Sequence, residues 1–124
     1  MKILVASAKA EFSKLDKIVE TLRGLEAVGV EFVRADEIDW EQRKAETGSW
    51  DKAYAWAARS FERLILTETD LGGFGRGQFE LWRLFTAHGK KVGFMRTGMN
   101  KPEPVSRLSL SSEGDWKMKY AVLS

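Results

Sequence analysis

The sequence predicts an α/β fold, a Rossmann-like or flavodoxin-like three-layer sandwich with a mostly parallel sheet of four or five strands. Two observations lead to this prediction. Short apolar runs alternate with amphipathic stretches in the order strand, helix, strand, helix, strand, helix, strand. The apolar runs are also nearly continuous, as expected of strands that helices cover on both faces.

Four apolar runs are the predicted strands: KILVAS at 2–7, VEFVRA at 30–35, LILT at 64–67 and KKVGFMRT at 90–97. The first helix carries a single apolar stripe and ends at Gly24 or Gly29; the stripe consists of Phe12, Leu15, Val19 and Leu22. Ser49 is the predicted N-cap of the next helix, and the last helix runs from about 76 to 88. The polar stretch between the second strand and Ser49 predicts at most a short helix.

The C-terminal tail after residue 97 allows two predictions. It forms either a terminal hairpin or a single edge strand over 118–123, and the sequence fits both equally well. At 124 residues, the whole chain (1–124) is predicted to be one domain.

Composition excludes several classes of function. The net charge is only +2, from 20 basic and 18 acidic residues, so no nucleic-acid partner is expected. Cysteine is absent and His88 is the only histidine, so we predict no metal site and no cofactor. The apolar run at 3–8 is too short for a signal peptide, and no run could span a membrane. We therefore expect a cytoplasmic protein without a membrane partner.

Aromatic residues are frequent. Five Trp and seven Phe in 124 residues exceed what a monomer of this size readily buries, so we expect a homo-oligomer with an apolar interface.

The segment TETDLGGFGRGQFELW, residues 67–82, suggests a ligand site. Ligands of open parallel sheets bind beyond the carboxyl ends of the strands, where the loops 7–11 and 68–77 should lie. Glycines allow positive φ and close approach, and main-chain N–H groups before a helix bind anions. The predicted binding residues of the second loop are Gly72, Gly73, Gly75, Arg76 and Gly77. The alternative is a connection that needs glycine only for its turns.

Glu80 follows this loop, within the first turns of the last predicted helix. A carboxylate there is stabilised by the helix dipole and suits a nucleophile or a hydroxyl acceptor. From its position alone, Glu80 is explained as well by dipole complementarity on the surface. The glycine spacing matches neither the dinucleotide-binding motif nor the Walker A loop.

The segment DLGGFGRGQFELWRLFTAHGKKV resembles the central segment of the nucleoside 2-deoxyribosyltransferase-like superfamily. In that pattern an apolar strand ends near an aspartate, and a glycine loop, a glutamate and Gly-Lys-x-Val follow. The residues that match are Asp70, Gly77, Glu80, Ala87, Gly89, Lys90 and Val92. GGFG followed by a glutamate is also similar, though less so, to the loop of lysine-decarboxylase-like phosphoribohydrolases. Here Arg76 replaces the threonine of that loop and the glutamate comes one residue late.

The resemblance implies a nucleoside or nucleotide N-glycosidase or deoxyribosyltransferase. Glu80 would stabilise or attack the anomeric carbon, and Asp70 would orient the sugar or help protonate the leaving base. The glycine loop and Arg76 would hold the 5′ group, with Ser7 and Lys9 assisting. The base would stack on an aromatic ring, for which the candidates are Phe74, Trp40 and Trp50.

Two other functions fit the same fold. One is a non-catalytic sensor of a nucleotide-derived ligand, and the other is a small interaction protein that has lost the site. The sequence does not decide whether the protein is an enzyme, or whether it would act as a hydrolase or a transferase.

Overall fold

The computed structural model describes residues 1–7, 15–25, 29–69, 73–96, 98–105, 107–111 and 120–123. The strands of its main sheet are β1 (Lys2–Ala6), β2 (Glu31–Arg34), β3 (Arg63–Thr67), β4 (Lys91–Met95) and β5 (Glu103–Pro104). Their order across the sheet is β2-β1-β3-β4-β5. The first four strands are parallel, and β5 pairs antiparallel with β4.

Helices cover both faces of this sheet. They are α1 (Leu15–Leu25), α2 (Trp40–Thr47), α3 (Trp50–Ser60) and α4 (Arg76–Ala87), with one 3-10 turn at Ala35–Glu37. Helix α1 packs with Ile3, Val5 and Ile65 on one face. Helices α3 and α4 pack on the other face, which the alternate strand residues Leu4 and Leu64 line. The predicted α/β fold with a mostly parallel sheet is confirmed.

The helix boundaries follow the local signals in the sequence. Ser49 caps α3 as predicted, and its hydroxyl accepts a hydrogen bond from Lys52 N at 3.2 Å. Gly89, with φ of 71°, follows α4, and His88 Nδ1 lies 2.8 Å from Leu84 O in the last turn. The polar stretch before Ser49 contains α2, capped by Asp39.

The C-terminal part contains more strand than was predicted. Strands β6 (Leu108–Ser111) and β7 (Tyr120–Leu123) pair antiparallel as a separate two-stranded sheet, which is the hairpin alternative. Strand β5 was not expected. It has two residues, and its Pro104 lacks the N–H of a central strand, so it occurs at the sheet edge.

Candidate functional site

The carboxyl ends of β1 and β3 lie side by side at the point where the order of strands reverses. Ala6 pairs with Leu66, and the chain leaves β1 towards β2 on one side and later returns to β3 on the other. The loops after β1 and β3 therefore start from adjacent strands, which is the condition under which the sequence predicts that they are neighbours. This switch point is where open α/β sheets bind their ligands.

Several of the predicted site residues lie in these two loops outside the described residues, and their roles stay predictions: Lys9, Asp70 and Gly72. Ser7 is half-buried directly after β1. The rest of the predicted set lies at the start of α4.

The glycines of the loop have different local roles. Gly73 is buried with φ of 85°, and its main chain closes a turn through Thr69 N→Gly73 O at 2.9 Å. Gly75 is the N-cap of α4 with φ of −73°, so it does not need glycine for its backbone angle. Gly77 lies inside α4, where a Cβ would sit 3.7 Å from the Tyr54 hydroxyl. Of these three glycines, positive φ is therefore required only at Gly73.

Gln78 joins the three parts of the switch point and was not predicted as a site residue. Its side chain is 2% exposed. Nε2 donates to Ala6 O and to Thr67 O, both at 2.9 Å, and Oε1 accepts from Gly75 N at 2.7 Å. The ends of β1 and β3 and the start of α4 are therefore fixed to one another by one amide. A glutamine three residues after a helix N-cap is a known start signal, and it could have been noticed.

Glu68 is a second residue that the sequence analysis missed. It directly follows β3, and its side chain is 15% exposed. Oε1 accepts a long hydrogen bond from Gly73 N at 3.4 Å. Oε2 is buried without a hydrogen-bond partner, although Arg96 Nη1 lies 3.7 Å from it. An acceptor in this state favours a donor from a ligand, because leaving it unpaired costs about 1–3 kcal/mol.

Glu80, in α4, forms ion pairs with Arg76 and Arg83 of the same helix. Its side chain is 18% exposed, and Oε2 accepts from Arg83 Nε at 2.9 Å. Arg76 Nη2 lies 3.8 Å from Oε1, and Arg83 also donates to Asp51 at 3.0 Å. The hydrogen bond that Arg83 donates to Glu80 raises the pKa of Arg83. The carboxylate is thus largely shielded from bulk water, and one of its two oxygens is already strongly engaged.

Tyr54 connects Glu80 to an aromatic surface. Burial raises the pKa of Tyr54, and the charge of Glu80 raises it further, while Arg76 opposes them. The Trp50 ring stacks on Tyr54, with centroids 6.1 Å apart, and Trp40 lies 5.6 Å from Tyr54. The first turns of α3 and α4 therefore place aromatic rings, a carboxylate and a guanidinium together.

Of the three rings proposed to stack on a base, only Trp50 is exposed, at 37%. Phe74 is completely buried and packs edge-on against Phe94, so we do not expect it to contact a ligand. Trp40 is half-buried, and its indole N–H donates to Ala35 O at 2.9 Å.

The N-terminus of α4 has no side-chain cap, because its N-cap residue is Gly75. The free N–H groups of a first helical turn and the helix dipole favour an anion there. Arg76, with 59% of its side chain exposed, adds a cation at the same position.

We expect the charge of Glu80 to change the pKa of Tyr54. Glu80→Gln should lower the pKa of Tyr54, and Arg76→Gln should raise it further, because these charges act with opposite sign on the phenolate. Absorbance at 295 nm during an alkaline titration measures the ionisation, and Tyr54→Phe assigns it against Tyr120.

The same raised pKa has a consequence for stability. A raised pKa means that the folded state favours the neutral phenol of Tyr54. The contribution of this phenol to the stability of the fold is complete below the unfolded-state pKa of about 10, and it is lost as pH rises through the folded-state pKa. If the pKa of Tyr54 is unchanged in both Glu80→Gln and Arg76→Gln, the described geometry is contradicted.

Among the described residues, no three or more His, Cys, Asp or Glu side chains converge as metal ligands would. None of the helices in the described part of the chain has the length and apolar character needed to cross a membrane. Comparisons with known protein families, with curated proteins and with solved structures found no match for this chain.

Proposed function

We propose that the protein binds a nucleoside or nucleotide at the carboxyl edge of its sheet, between the ends of β1 and β3 and the start of α4. The observation that carries this proposal is Glu68 Oε2, an acceptor that is buried without a hydrogen-bond partner at the switch point. A sugar hydroxyl is a suitable donor for it.

The neighbouring groups suit the other parts of such a ligand. Gly73 N donates to Glu68 Oε1, and Gly75 follows two residues later. The Cα atoms of Gly73 and Gly75 are therefore at most about 7.6 Å apart. A phosphate at the uncapped start of α4 would accept main-chain N–H groups, and Arg76 would neutralise part of its charge. The exposed Trp50 ring offers a face for the base.

A second candidate is cleavage or transfer at the N-glycosidic bond, with Glu80 as the nucleophile. The observation that favours it is the position of Glu80, half-buried and within the electrostatic reach of Tyr54 and Arg76. In this reaction a carboxylate oxygen attacks C1′, the bond from C1′ to the base nitrogen breaks, and the base leaves with a proton. Water or a second base then releases the sugar. Glu80 Oε1 would attack, since Arg83 holds Oε2.

Binding comes first in this proposal because it does not require Glu80 to act as a nucleophile. The pairing with Arg83 keeps electron density on Oε2 engaged, and a nucleophile is more effective without such partners. A cytoplasmic location and a homo-oligomeric state remain part of the proposal, and the site itself depends on neither.

Glu68→Gln tests binding, and Glu80→Gln tests cleavage. Deoxyribonucleosides and their 5′-monophosphates are titrated by calorimetry, and free base is measured by chromatography. We expect Glu68→Gln to weaken binding about tenfold or more, because it replaces a charged acceptor by a neutral one. Glu41→Gln, on the exposed surface of α2, is the matched control and should bind normally.

Base release that is lost in Glu80→Gln, with binding retained, would establish the enzyme. Binding without release, unaffected by Glu80→Gln, would establish the sensor. If no nucleoside or monophosphate binds the wild-type protein, the proposal is wrong.

A further inference from the structure

A basic hollow of about 540 Å³ lies at the opposite, amino edge of the sheet, where β3 and β4 begin. Arg63, Lys90 and Lys91 supply its positive charge, and Glu103 is its acidic residue. Trp82 of α4 forms part of an apolar wall. None of the residues assigned to the site at the carboxyl edge lines this hollow.

Arg63 carries the inference. Its Nε is buried and has no hydrogen-bond partner. None of the ion pairs among the described residues involves Arg63 or Lys91. A buried guanidinium N–H without an acceptor is unfavourable. The simplest acceptor for it is an oxyanion bound in the hollow.

Lys91 adds to this unbalanced charge. It is the register partner of Arg63 on the neighbouring strand, so both side chains leave the same face of the sheet. Adjacent strands are about 4.8 Å apart, and like charges at that separation repel. An anion between the two would convert this repulsion into two attractions.

Lys90 and Glu103 do not cancel the charge. Lys90 Nζ donates to Phe61 O at 2.7 Å and so remains a fixed cation beside the hollow. Glu103 is exposed, and within the described part of the chain it forms no ion pair with Arg63 or Lys91. With three cations and one carboxylate, the lining keeps two positive charges in excess.

The volume and walls indicate the size of the ligand. Sites for small organic molecules typically enclose about 300–1,000 Å³ and combine apolar walls with a few polar groups. Pro102 and Pro104 lie on the face of the sheet that Arg63 and Lys91 share, and they provide apolar surface there. We propose that this hollow binds a small organic anion, an oxyanion group on an apolar or planar body, with the oxyanion between Arg63 and Lys91.

This site is separate from the one at the carboxyl edge. Strand β3 runs from Arg63 to Thr67, and its rise places these two ends about 13 Å apart. The two proposals therefore stand or fall independently, because each can be tested with variants that leave the other edge untouched.

The test uses phenyl phosphate, benzoate and inorganic phosphate as probes, with amide and indole signals followed by NMR. We expect phenyl phosphate and benzoate to cause saturable shifts at Arg63, Lys91 and Gly93, which share one face of the sheet. Inorganic phosphate should bind more weakly, since it lacks the apolar body. Arg63→Gln should weaken phenyl phosphate about tenfold or more, and Arg63→Lys by less.

Lys101→Gln, an exposed lysine that does not line the hollow, is the control and should leave binding unchanged. Thermal unfolding of each variant without probe shows that it is folded. Absence of saturable shifts in the wild-type protein, equal affinity in Arg63→Gln, or equal loss in Lys101→Gln would overturn the inference.

Discussion

Replacement of Gln78 by alanine is expected to lower the free energy of unfolding by about 2–4 kcal/mol. The buried amide makes three hydrogen bonds, to Ala6 O, Thr67 O and Gly75 N. Each such bond contributes about 0.5–1.5 kcal/mol, and the loss of the side chain also leaves a cavity. Urea unfolding followed by circular dichroism measures the change. For a domain of ordinary stability, about 5–15 kcal/mol, this is a large fraction.

Two further variants make this prediction specific. Gln78→Glu keeps the shape but cannot donate to the two carbonyls when ionised, so it should be about as destabilising at neutral pH. Gln42→Ala, an exposed glutamine on α2, should change stability by less than about 0.5 kcal/mol. A loss in Gln78→Ala as small as that in Gln42→Ala would mean that Gln78 does not hold the switch point together.

Replacement of Phe74 by alanine is expected to cost about 3–5 kcal/mol. Phe74 is completely buried, and its ring packs edge-on against Phe94 with centroids 6.2 Å apart. It anchors the glycine loop in the core between β3 and α4, so the variant should also weaken ligand binding indirectly. The same urea unfolding experiment measures the loss of stability.

Trp50→Ala is the matched comparison, because Trp50 belongs to the same proposed site but is exposed. It should lose less than half as much stability and should weaken nucleotide binding directly. A near-neutral Phe74→Ala together with a strongly destabilised Trp50→Ala would reverse the roles that the structure gives to these two rings.

The sheet and helices could be predicted because their signals are local. Strands β1, β3 and β4 are short apolar runs, and Ser49 and Gly89 mark helix ends by their own chemistry. Strand β5 could not be predicted in this way. It is two residues long and depends on pairing with β4.

The site was predictable in its location but not in its contacts. The order of elements predicts that the loops after β1 and β3 lie at the carboxyl edge, whereas their adjacency depends on the strand order that the structure shows. The partners of Gln78 are main-chain carbonyls 72 and 11 residues away, which no sequence pattern encodes. The contacts of Glu68 are likewise with Gly73 and with Arg96, which directly follows β4. From the sequence, Phe74 fits a stacking ring as well as a core residue. Its complete burial is decided by tertiary packing, which no local pattern shows.

The ligand site at the carboxyl edge is tested by titration of the wild-type protein with a deoxyribonucleoside 5′-monophosphate, followed by the amide and indole NMR signals. We expect saturable shifts at Ser7, Glu68, Gly73, Arg76 and the Trp50 indole, with the amino-edge hollow as a second location at most. Shifts confined to Arg63, Lys91 and Gly93, or no saturable shift at all, would contradict a ligand site at the carboxyl edge.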